Sequence, residues 1–222
     1  MHRFAPLKPR ATAHWGALAI VAISIVSCTR GSATARSSVG FWFERDHFDL
    51  PPDIARTLGG ALSAPDMAAI ETVATDEVAH AFQAFNVAIT DRRDAFWRVE
   101  VVPSLPARGP LPRAGASIGL GPLGGRGAVE FGILAYNAVR RAPPGASRQT
   151  IIDGIGRGIG RAAVHEFAHQ MFGEVDLHQG ADENSYEYAR SDRTSQYYGE
   201  LRWTTALPML RTRFGTVKSR RE

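Results

Sequence analysis

Cysteine is nearly missing from this chain: its 222 residues hold one, Cys28. A single thiol excludes an intramolecular disulfide and any metal cluster built on several thiolates. An excess of charge is missing as well. The formal net charge is +4, but Arg3, Lys8 and Arg10 stand in a first segment, residues 1–28, that holds no acid. The rest carries 23 basic and 22 acidic side chains with no basic stripe, so nucleic acid is not an expected partner. Composition is otherwise ordinary, with 44% hydrophobic, 22% charged and 9% aromatic residues. Wholesale disorder, collagen-like repeats and a coiled coil are thereby excluded, and the length is ample for one domain with a true core.

Long apolar runs are lacking too. Residues 15–27 form an uncharged, mainly apolar stretch of thirteen. As a helix it would rise only about 20 Å, short of the roughly 30 Å hydrocarbon core of a bilayer. Behind three positive charges, it has the layout of an export signal. The run ends Ile25-Val26-Ser27-Cys28, which resembles a bacterial lipobox. That resemblance implies a signal peptide over residues 1–28, with Cys28 lipidated and anchoring an exported protein to a membrane, facing the periplasm or cell exterior. Residues 29–40 are small, polar and rich in Ser and Gly, and read as a flexible tether. The folded domain is expected over residues 41–222.

Within that domain Phe41-Trp42-Phe43 suggests a strand. Ser63-Ala64-Pro65-Asp66 opens a helix, with Ile70, Val73, Ala74, Val78, Ala81, Phe82 and Phe85 on its buried face and an end near Asn86. His80 falls off that face and is expected at the surface. Strands are expected at 87–90, 98–102 and 131–136, with 103–127 a Gly- and Pro-rich loop holding a short strand at 116–120. The segment Asp153 to Gly160 alternates glycines, but G-x-G-x-x-G would need Gly at Ile159 or Arg161. No nucleotide is expected, and the glycines read as a close-packed entry to the next helix.

That helix carries the chemistry. His165-Glu166-Phe167-Ala168-His169 puts two imidazoles one turn apart on one face. The acid beside the first reaches a water on an ion they share, the H-E-x-x-H arrangement of zinc peptidases. Val164, Ala168 and Met171 give the helix an apolar back, and Gly173 a stop. Catalytic zinc takes a third protein ligand. His178, Glu187 and Asp176 are the acceptable donors nearby.

The segment resembles the metzincin metallopeptidases, the matrixin-like branch in particular. Their pattern is H-E-x-x-H-x-x-G-x-x-H, then a Ser-x-Met turn and a closing helix. Here stand His165, Glu166, His169, Gly173 and His178, then Asp182-Glu-Asn-Ser185-Tyr186-Glu187-Tyr188 and Ser191 to Gly199. The resemblance spans roughly residues 63–200 and is densest from 160 to 200. Two departures stand out: Phe172 and Val175 occupy the places of the Gly and the third His, and Glu187 replaces the turn Met. A gluzincin reading would instead make Glu187 the third ligand.

The resemblance implies an α+β, metzincin-like catalytic domain. Its parts would be a small twisted mixed sheet, a long helix, the H-E-x-x-H helix and a closing C-terminal helix. It implies Zn2+ on His165, His169 and His178, with Glu166 as general base in peptide-bond hydrolysis. Tyr186 or Tyr188 would assist at the oxyanion, and a protein or peptide substrate would pair with an exposed strand, expected at 131–136. Two rivals share these residues. One is a lipid-anchored binding or envelope-structural protein on the same scaffold. The other is a zinc hydrolase of non-peptide amide bonds.

Overall fold

The computed structural model describes residues 38–44, 47–106, 113–119, 123–173 and 177–217. The export segment with Cys28 and the candidate ligand Asp176 lie outside these residues. Among the described residues, β-branched and aromatic runs form one five-stranded sheet in the order β2-β1-β3-β5-β4. Its strands are β1 (Ser38–Phe43), β2 (Ala88–Thr90), β3 (Trp97–Val102), β4 (Gly115–Gly119) and β5 (Gly125–Glu130). All pair in parallel except β4, which lies antiparallel to β5 along the sheet edge. In β3 the alternation is clean, with Trp97, Val99 and Val101 buried and the residues between them partly exposed. β1 starts earlier than its composition suggests. Ser38, Val39 and Gly40 belong to the sheet and not to the expected tether over 29–40, because fully buried Val39 pairs with Trp97.

Six helices complete the described chain: α1 (Pro52–Thr57), α2 (Ala64–Phe82), α3 (Phe131–Arg141), α4 (Arg148–Phe172), α5 (Ser195–Tyr198) and α6 (Leu207–Phe214). Helix α2 begins where expected. Ser63 caps it, accepting from the Asp66 N–H while Asp66 Oδ2 accepts from the Ser63 N–H at 2.8 Å. Arg148 Nη2 also donates to Asp66 Oδ2 at 2.8 Å, tying the start of α4 to that of α2. Together these contacts hold the Asp66 carboxyl at about 2, the Arg148 bond being the larger cause. Ile70, Ala74, Val78, Ala81 and Phe82 are buried as expected. The helix stops short of Asn86 because the Gln83 and Phe85 N–H groups turn back to His80 O and Phe82 O, three residues behind. His80 is exposed.

Two expectations are corrected. Residues 131–136 are not a strand but the first half of α3. Phe131, Leu134, Ala135, Ala138 and Val139 are buried at helical spacing, and that period continues past Tyr136. The strand expected there comes one segment earlier, as β5, which begins within the stretch read as loop and runs past its end. The glycines of 154–160 do not precede α4; they are its interior. A Cβ on Gly156 would sit 2.8 Å from Ile70 O of α2, and one on Gly160 2.5 Å from Ala74 O. A Cβ on Gly158 would sit 2.3 Å from the Tyr197 ring on the other side. Each helical glycine costs about 1 kcal/mol of propensity, offset by the close approach of α2 and α5. Helix α4 thus lies against α2, α3 and strands β3 to β5 at once. The result is a mixed α/β fold on a mostly parallel sheet, with α4 buried through its centre.

Candidate metal centre

The last three turns of α4 bring His165 and His169 onto one face, their Nε2 atoms 3.0 Å apart. Gly173, at φ +79°, ends the helix and donates its N–H to His169 O. The chain then returns His178 to the same place. Its ring stacks on His165 at 5.1 Å, tilted 14°, and meets His169 edge-on at 5.0 Å. One ligand nitrogen from each of the three lies within 4.8 Å of the others.

Aim is set by the backbone of a turn. His165 Nδ1 donates to Tyr186 O at 2.8 Å, and His178 Nδ1 donates to Glu187 O at 2.5 Å. A carbonyl only accepts, so Nδ1 carries the proton on both rings and Nε2 is left to bind. Successive carbonyls thereby hold two rings nearly parallel. Burial, aided by the neighbouring His169, pushes the His165 imidazole down to about 3. It is neutral at pH 7, the form that binds metal ions.

The turn is braced from beneath. Arg193, nine-tenths buried, donates to Glu183 O, to Ser185 O at 2.8 Å and to Gln196 Oε1 at 3.1 Å. Burial lowers its guanidinium to about 10. Tyr186 OH donates to Glu77 Oε1 of α2 at 3.4 Å, and burial raises its phenol far above the ordinary value. Glu77 in turn takes Arg161 Nε at 2.8 Å, while Arg161 Nη1 holds Ser195 O at 2.7 Å. The Tyr186 hydroxyl is therefore turned toward α2, which corrects its expected part at an oxyanion. Tyr188 carries the Arg193 guanidinium over its ring at 4.9 Å. Residue types alone did not single out Arg161, Glu77 or Arg193. For Glu77 and Arg161 the one sequence signal is charge on an otherwise apolar helix face; Arg193, in irregular chain, has none.

Of the three donors considered for the third position, the structure brings His178 to the pair. Glu187 is fully buried and faces elsewhere: its carboxylate accepts from Thr204 N at 2.9 Å, Thr204 Oγ1 at 3.2 Å and Ala206 N at 2.8 Å. Glu166 is buried where α4 meets the edge strand β4. A Cβ on Gly115 would lie 2.3 Å from Glu166 Oε1, and Ser117 Oγ donates to Glu166 O at 3.2 Å. Gln170, one turn on, pairs its amide with both the N–H and C=O of Arg98 at 3.2 and 3.1 Å, fixing α4 to β3.

Three imidazoles, two of them with Nδ1 fixed by backbone carbonyls, are a donor set suited to a borderline ion such as zinc, with a coordination position left over. No helix among the described residues is long and apolar enough to cross a membrane. No protein-family model matches the chain, and neither curated proteins nor solved structures give a significant match.

Proposed function

We propose that the chain is a zinc-dependent metallopeptidase of metzincin-like build, exported and held to a membrane through Cys28. The observation that carries this reading is the convergence of His165, His169 and His178 beside Glu166, at the seam between α4 and an edge strand. Zinc bound by the three imidazoles would acidify a water and polarise the scissile carbonyl. Glu166 takes the proton of the attacking water and delivers it to the leaving nitrogen. Tyr186 O and Glu187 O hold the ligand rings in their neutral, Nδ1-protonated form throughout.

Substrate binding falls to β4. It is the last strand of the sheet on that side, and its residues Gly115 and Ser117 adjoin Glu166. An extended peptide adding to this edge would pass the base. Ile118, about half exposed, offers it an apolar contact.

The test is E166Q. Cleavage of an unfolded protein substrate is expected to fall by about 10²- to 10⁴-fold, the usual worth of a general base, with zinc content unchanged. Cleavage surviving the substitution would reject the mechanism.

A further inference from the structure

The three candidate ligands are not held alike. His165 and His169 ride on a helix packed on several sides, whereas His178 sits in irregular chain. Its aim depends on the turn at 186–187, whose own support is unusual. Tyr186 N–H donates to Arg202 O at 3.1 Å and Arg202 N–H to Asn184 O at 3.0 Å, a short ladder between the turn and the segment before α6. There the backbone pairing stops. The next donors on that segment, the N–H groups of Thr204 and Ala206, go to the side chain of Glu187.

A carboxylate with no solvent exposure is costly unless its lone pairs are filled, and here three donors fill them. Hydrogen bonds to an ionised oxygen are strong and directional. Oε1 alone accepts both N–H groups. One residue thus clamps the C-terminal segment with its side chain and holds His178 Nδ1 with its carbonyl. An apolar residue would fill the space without fixing the direction of that carbonyl.

We propose that Glu187 is a positioning residue for the metal centre, its buried carboxylate fixing the turn whose carbonyls aim His178 and His165. The inference rests on the metal reading above. Outer partners that orient ligand imidazoles typically govern metal affinity by about 10- to 100-fold.

The test uses the full chain and zinc itself, with affinity measured by competition against a chromophoric chelator. Visible spectra of the cobalt-loaded protein report ligand geometry. E187M should weaken zinc binding by about 10- to 100-fold and shift the cobalt bands. E187Q keeps an oxygen for both N–H groups and should stay within about threefold of the parent. L134A, a core truncation on α3, controls for lost stability, because it should lower the melting midpoint without changing the cobalt spectrum. If E187M does not fold, T204A removes one donor and should still shift the cobalt bands. A parent that binds zinc beside an E187M chain, or failing that a T204A chain, with equal affinity and an unchanged spectrum overturns the inference alone. A parent that binds no zinc overturns the metal reading and the inference with it.

Discussion

The two halves of α4 answer opposite demands within one helix. Its first half is threaded with glycines at 154, 156, 158 and 160, and these exist to be approached: α2, Tyr197 and Tyr198 come close enough to forbid a Cβ. Its second half, from Arg161 to Phe172, carries the histidines, Glu166 and Gln170 among buried apolar residues. At those four positions the first half gives up its side chains so that neighbours can fix the helix, while Ile151, Ile152, Ile155 and Ile159 fill the core between them. The side chains of the second half project from a rod that is already fixed. The lesson is that the glycines serve the histidines indirectly, by pinning the helix that presents them.

The comparison breaks most sharply if each half is damaged separately. H169A should abolish zinc binding at micromolar metal while changing the melting midpoint of the metal-free chain little, since His169 is only partly buried. Titration of the metal beside a thermal melt would show both. G160V should do the reverse, costing about 1–3 kcal/mol by overpacking against Ala74 O. Chemical denaturation measures that loss, and the three histidines remain in place to bind zinc in whatever fraction stays folded.

G115A sharpens the boundary between the halves and the sheet. The added methyl would collide with Glu166 Oε1 and should lower kcat by about tenfold, a barrier change of about 1.4 kcal/mol. Zinc affinity should hold, because Gly115 touches none of the histidines' carbonyl partners. The smallest effect belongs to D66N, beside the end of α4 remote from the histidines, with a loss of about 1 kcal/mol from the cap of α2. The Asp66 carboxyl is lowered from 3.8 to about 2, so its contribution is full above pH 4 and is lost as pH falls toward 2. Parent and D66N stabilities should therefore converge at the acid end of a pH series.

Legibility followed the same division. The spacing of His165 and His169, the cap at Ser63 and the apolar face of α2 are local patterns, and each stands where the sequence puts it. His178 was readable as one of several donors; among the described residues the fold brings it, and not Glu187, to the His165–His169 pair. Residues 131–136 misled because Phe-Gly-Ile-Leu-Ala-Tyr suits either a strand or a buried helix, and length alone separates the two. The glycines read as an entry to the helix and not its interior, because a helix interior rarely holds four of them. Nothing in the residue types could reveal the carbonyls of Tyr186 and Glu187, since every residue has one. The burial of Glu187 was equally hidden, because its partners are backbone N–H groups 17 and 19 residues away.

The central claim is a three-histidine metal centre. Its most direct test is zinc content and zinc K-edge absorption on the chain purified without chelators, beside H178A. One zinc per chain with a first shell of three imidazole nitrogens, lost in H178A, is the predicted result. Zinc retained by H178A at the parent's stoichiometry and affinity, or a first shell lacking imidazole, would contradict it.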